Sequence, residues 1–144
     1  MLNDGNIDLF ENAELVDDKI IIREDIRSAI VVAKEYKFDV LKSITAIDNQ
    51  DNGIELIYRL YSTANDEELL LSYTTMNSET ETISDIYKSA IAEENEIYDL
   101  FGIHFLNHDD LKRLYMPEGW EGYPLKKDYV QDDTRLAWND EDNN

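Results

Sequence analysis

A chain of 144 residues has the length of one domain and can bury a single core, although a hydrophobic fraction of 42% assigns part of it to an arm or tail. The absence of cysteine excludes disulfides, thiolate nucleophiles and thiolate-held zinc or iron–sulfur sites. A formal net charge of −20 opposes binding to nucleic acid or anionic lipid. No run of about 18 apolar residues is present, so no bilayer-spanning segment is expected. The start, Met1-Leu2-Asn3-Asp4-Gly5, lacks the basic and apolar regions of a signal peptide, and a cytoplasmic chain is expected.

In chain order, residues 1–12 read as a polar lead-in. The β-rich run 19–23 predicts a first or edge strand. Glu24 and Asp25 supply a negative first turn, and Ile26, Ala29, Ile30, Ala33 and Lys37 share one face of a helix reaching about Tyr36. Residues 38–47 predict a strand, and 48–53 form a turn cluster ending at Gly53. Residues 54–61 alternate, placing Ile54, Leu56, Tyr58 and Leu60 on one face; after a turn at 64–67, residues 69–76 return as the partner strand. Part of 83–101 is helical, with Ile86, Ala90, Ile97 and Phe101 turned inward and Gly102 as its stop. The interleaving predicts an α+β fold, a small, mostly antiparallel sheet packed with two helices. That domain is expected over 1–103, followed by an extended partner-binding arm and acidic tail over 104–144.

Charge distribution singles out the arm. Residues 1–103 hold 23 acids and 8 bases, 104–129 hold five acids and four bases, and the last fifteen residues hold five acids and Arg135. The near-neutral stretch 104–129 also gathers Phe105, Tyr115, Trp120, Tyr123 and Tyr129 around Pro117, Gly119, Gly122 and Pro124, with no repeating period. Aromatic anchors on a charge-balanced, Pro/Gly-punctuated segment suit a partner-binding wrap, ordered by its partner more than by its own domain.

Two linked motifs follow a known pattern. The first is Glu94-Asn95-Glu96-Ile97-Tyr98-Asp99-Leu100-Phe101-Gly102-Ile103, continued by His108, Lys112 and Leu114. The second is Met116-Pro117-Glu118-Gly119-Trp120-Glu121-Gly122-Tyr123-Pro124-Leu125-Lys126-Lys127-Asp128-Tyr129. Together, and with weaker similarity at 38–48 and 58–62, they resemble the 30 kDa subunit family of complex I, the NADH-quinone oxidoreductase, and of related energy-converting nickel–iron hydrogenases. Three positions depart from the family pattern: Asn95 stands for its usual Arg, Ala92 for a common Trp, and Tyr123 for a frequent His. The resemblance implies a non-catalytic structural subunit in the hydrophilic arm of a membrane-bound complex, peripheral on the inner face of the membrane. It implies a large hydrogenase-like (49 kDa-type) subunit and a small iron–sulfur subunit as partners, without nucleic acid or membrane insertion. Cofactors are expected only in those partners, as iron–sulfur clusters and a nickel–iron centre or quinone site. The short acidic end resembles the hydrogenase branch more than the NADH- or other donor-quinone branch. The implied interface comprises Glu94, Glu96, Tyr98, Asp99, Phe101, His108, Arg113, Trp120, Pro124, Leu125, Lys127, Asp128 and Tyr129.

Other chemistry fits the residues less well. Glu94 and Glu96 point about 200° apart on a helix, so they do not converge on one substrate, and Asp99 suits a structural or interface ion pair. His104, His108, Asp109 and Asp110 have ligand-like spacing, but Gly102 and the β-like 103–105 argue against the helix that would gather them. Lys112-Arg113 and Lys126-Lys127 suit partner-facing salt bridges better than phosphate against so acidic a background. A free acidic binding protein mimicking nucleic acid would use the charge and leave the 94–129 motifs unexplained.

Overall fold

The computed structural model describes residues 6–117 and 119–127 of the chain. A five-stranded sheet runs in the order β1 (Glu14–Val16), β2 (Lys19–Ile21), β5 (Glu67–Thr75), β4 (Ile54–Ser62), β3 (Val40–Asp48). All neighbours are antiparallel except β2 and β5. Helix α1 (Ile26–Glu35) therefore carries the chain from β2 across the sheet to β3. The mostly antiparallel α+β architecture is the one the sequence predicts.

Local chemistry explains the elements. Asp25 is the N-cap of α1: its carboxylate accepts from the Arg27 and Ser28 amides at 3.0 and 3.3 Å, satisfying two of the donors that a helix start leaves open. From α1, Ile26, Ala29, Ile30 and Ala33 join one core with the inward set Ile54, Leu56, Tyr58 and Leu60 of β4 and with Leu69 and Leu71 of β5. Each large apolar side chain buried this way contributes about 1.5–3 kcal/mol. The opposite face is polar, with Lys19–Glu55 at 2.8 Å and Arg59–Glu68 at 2.7 Å, as expected for an antiparallel sheet covered on one side.

The strand prediction at 19–23 shortens to Lys19–Ile21 and gains a partner, β1, which periodicity did not reveal. β1 has only three residues, all exposed, and its link to β2 is a turn of Asp17 and Asp18, both at positive φ. The second helix, α2 (Ala90–Phe101), starts seven residues later than the 83–101 limit. Residues 83–89 form turns instead, with the Tyr87 amide donating to Ile83 O at 2.9 Å. Beyond α2, strand β7 (His104–Leu106) pairs in parallel with β6 (Glu79–Glu81), and Phe105 is buried in the core. Strand pairing thus crosses the boundary expected at 103/104.

Helix α2 covers the outer edge of β3. The Ile44 amide donates to Glu93 Oε1 at 2.9 Å, and Ser89 Oγ donates to Leu41 O at 3.1 Å. Side chains thereby satisfy backbone groups that an open edge would expose, which protects it from pairing with another chain.

Candidate docking segment and its anchors

Three buried polar residues give α2 its particular character: Glu94, Asn95 and Asp99. Each meets the chain that follows the helix or the turn that precedes it, so the helix is an anchor post rather than a simple amphipathic rod.

Asp99, at 0% exposure, is the strongest anchor. Its Oδ2 accepts three successive amides, Leu114 at 3.0 Å, Tyr115 at 2.5 Å and Met116 at 3.1 Å. Its Oδ1 accepts from Arg113 Nε at 2.6 Å. Burial alone would raise its pKa, but the Arg113 bond and the three amides outweigh burial and hold it below its ordinary value. The guanidinium extends the clamp: Nη1 donates to Trp120 O at 2.8 Å, and Nη2 to Asp99 O and Gly122 O at 2.7 and 2.8 Å. It also lies 5.0 Å from the centroid of the Tyr123 ring. A planar fork with several fixed donors suits this role, where a lysine would reach one acceptor at a time.

Gly102 ends α2 at φ +77°, and the Tyr123 ring rests on it so closely that a Cβ would lie 2.7 Å from Tyr123 Cδ2. Further along, the Leu125 amide donates to Leu100 O at 2.9 Å, and the Lys127 amide to Asp48 Oδ2 at 2.8 Å. The described residues of segment 107–127 are therefore fastened to the rest of the domain at both ends and in the middle. The expectation that a partner supplies most of its order meets these intramolecular anchors, which lack any helical or strand period and so leave no periodic trace.

Glu94 is equally buried and differently placed. Its carboxylate accepts from Thr82 Oγ at 2.5 Å and from the Ile83 amide at 2.9 Å. Desolvation pushes its pKa up to about 7, against the lowering effect of those two donors. His108 lies beside it, Nε2 3.7 Å from Glu94 Oε1, with 1% of its side chain exposed. The ring also approaches Ile91 O at 3.3 Å and accepts the Asp110 amide at Nδ1, at 3.0 Å.

Of the residues expected at an interface, Glu94 and Asp99 are thus internal: Glu94 bonds the turn before α2, and Asp99 holds the segment after it. Arg113 is largely covered. Phe101 packs against the core, and Tyr98 meets the His104 ring edge-on at 5.2 Å. Glu96 is exposed and accepts from the Tyr115 hydroxyl at 3.3 Å. Trp120 and Pro124 are half-buried, while Lys127 is exposed. Asp128 and Tyr129 lie outside the described residues. The four residues with ligand-like spacing do not act together: His104 turns to Tyr98, and His108 turns to Glu94 and Ile91.

Several participants escaped sequence reasoning. Asn95 accepts the Lys112 amide at 3.0 Å, and Asp48, which reads as an ordinary turn residue, receives Lys127. The clamped segment leaves Leu114, Tyr115 and Leu125 with 42%, 65% and 52% of their surface exposed. Those large apolar side chains lie on the surface of the clamped segment.

A one-sided α+β sheet carrying a long, clamped, aromatic-rich C-terminal segment defines the class: a small domain that presents a fixed non-periodic surface. Residues 20–135 match the family described as "Respiratory-chain NADH dehydrogenase, 30 Kd subunit", and the chain belongs to that family. It is 35% identical over 115 residues to the C-type subunit of the NADH-quinone oxidoreductase of Geotalea uraniireducens, covering 76% of this chain and 70% of that one. It is 40% identical over 94 residues to the C/D-type subunit of the NADH-quinone oxidoreductase of Phocaeicola vulgatus, covering 63% of this chain and 18% of that one. The chain thus matches only about a fifth of the C/D relatives. Two solved structures share the fold. The trypsin-resistant fragment of Nqo5 aligns at a TM-score of 0.60 and 23% identity, over 65% of this chain and 81% of that one. A chain of the membrane-bound sulfane sulfur reductase, an archaeal respiratory membrane complex, aligns at 0.65 and 24%, over 92% and 83%.

Proposed function

We propose that this chain is a non-catalytic structural subunit in the hydrophilic arm of a membrane-associated, complex I-like oxidoreductase. Its clamped segment 107–127 is the surface it offers to the large hydrogenase-like (49 kDa-type) subunit, with a small iron–sulfur subunit in the same arm. The observation that carries this reading is the family match over 20–135, which contains the whole Asp99–Arg113 clamp. The double C/D name of some relatives supports the choice of neighbour, because it gives the part resembling this chain and a second subunit one polypeptide.

Redox groups belong to the partners in this proposal, since a chain without cysteine has no thiolate to hold a cluster. Among the described residues no helix is long and apolar enough to cross a membrane, so attachment to the inner face is through the complex. For the reaction, the names of the relatives support NADH-quinone oxidoreduction. An energy-converting nickel–iron hydrogenase arm is the second reading; the same fold occurs in an archaeal respiratory membrane complex of another activity.

Purification of a tagged chain from its native host tests the proposal. Co-purification with a hydrogenase-like large subunit and iron–sulfur subunits is expected, with NADH-linked subunits or nickel deciding the branch. Recovery as a lone monomer would overturn it.

A further inference from the structure

We propose that two adjoining depressions at the start of α1 form one docking groove for an extended, lysine- or arginine-rich segment of another protein chain. The first depression, about 400 Å³, lies between α1 and the chain before β1, with Leu9, Phe10, Ile22 and Val32 among its walls. The second, about 250 Å³, lies between α1, β5 and the β6–β7 pair, with Ile26, Tyr73 and Leu106 among its walls. Glu24 and Asp25 line both, so the two meet there. Neither depression shares a lining residue with segment 107–127, so a second partner can sit here whichever subunit that segment meets.

Charge selects the occupant. Glu11 rims the first depression and Glu79 and Glu81 the second; with the shared pair, the walls carry five carboxylates and no base. The arginines flanking the shared pair are already engaged, Arg23 with Glu14 at 2.7 Å and Arg27 with Asp85 at 2.6 Å. Asp25 is committed to capping α1. Glu11, Glu24, Glu79 and Glu81 are exposed and, among the described residues, make no ion pair. Among the same residues no three acids converge as a metal site, so the charge suits cations spread along a chain rather than one divalent ion. Nucleic acid and anionic lipid would be repelled.

Strand β6 sets the spacing. Glu79 and Glu81 flank the buried Thr80, so both project to one side, roughly 7 Å apart. An extended partner with basic residues at alternate positions matches that repeat, while apolar residues between them meet the uncharged walls. Burial of those walls supplies affinity, and the carboxylates select for a cationic chain.

Titration of the full chain with a short peptide alternating lysine with valine, followed by amide NMR, tests this. The Glu11, Glu24, Glu79 and Glu81 amides should shift together, before those of segment 107–127, and the affinity should fall as salt is raised. Glu24→Gln, Glu79→Gln and Glu81→Gln combined, which keep the side-chain acceptors, should weaken binding about tenfold. The charge-matched set Glu35→Gln, Asp51→Asn and Asp109→Asn should change it less than about twofold. A lysine–glycine peptide of equal charge should bind about tenfold more weakly, because it leaves the apolar walls uncovered. Unmoved groove amides, equal losses in the two triple variants, or equal binding of the two peptides would each overturn the groove. Groove amides that shift with protein concentration alone would also overturn it, by showing a second copy of this chain there. The shift map needs no variant, so it decides the question even if a triple variant folds poorly.

Discussion

Asp99 and Glu94 sit five residues apart on one helix, both fully buried, and they respond to pH in opposite directions because their surroundings differ. Asp99 is held below its ordinary 3.8 by Arg113 and three amides despite its burial, so its contribution is present above that value and is lost as pH falls through the lowered folded value. Glu94 is raised by desolvation to about 7, so its contribution is complete below 4.5 and is lost as pH rises toward 7. Removing one member of a buried ion pair costs about 3–5 kcal/mol, and Asp99→Asn should lose about 3 kcal/mol of stability in urea titrations at pH 7. The deficit should shrink as the wild type is acidified below 3.8. Arg113→Lys keeps the charge but loses the fork that reaches Trp120, Gly122 and Asp99 together, and about 1.5–3 kcal/mol is the expected loss. Wild-type stability in both variants would show that the clamp is decorative.

The elements show what a sequence can and cannot disclose. The β4–β5 hairpin was legible because alternation placed Ile54, Leu56, Tyr58 and Leu60 on one face, and all four are buried. β1 was not legible, being three exposed residues in a two-aspartate hairpin whose stability comes from pairing with β2. In α2 the apolar positions Ala90 and Ile97 were visible, but the burial of Glu94, Asn95 and Asp99 depends on segments 12 to 17 residues distant, which periodicity cannot report. Gly102 was read as a helix stop; its second duty, making room for Tyr123, required the folded segment. Gly102→Ala should therefore be worse than an ordinary helix-end substitution, because it combines a positive φ with a 2.7 Å clash. A loss exceeding about 1 kcal/mol is expected, the size of the conformational effect alone, with faster exchange at the Leu125 amide. Trp120 contributes its carbonyl to Arg113, which Trp120→Ala retains, so that variant should lose under about 1 kcal/mol of its own stability while costing about 2 kcal/mol or more in assembly. Equal losses in melting and assembly would make Trp120 a core residue.

At the scale of the whole molecule, an acidic body of 23 acids and 8 bases carries a near-neutral segment, hydrogen-bonded to that body, with Leu114, Tyr115 and Leu125 exposed. In the proposed docking, a segment that its own domain already ties down pays little further entropy. In that proposal the charge contrast orients the encounter, since the body repels acidic surfaces that the segment tolerates. Lysines mark the two surfaces conveniently: Lys112, Lys126 and Lys127 lie on the segment, while Lys34, Lys37 and Lys88 lie on the body. Cross-linking mass spectrometry of the complex purified from the native host is the most direct measurement of the docking account. Lys112, Lys126 and Lys127 should cross-link to the hydrogenase-like large subunit. Cross-links to that subunit from Lys34, Lys37 and Lys88 alone would contradict the account and place the docking surface on the opposite part of the chain.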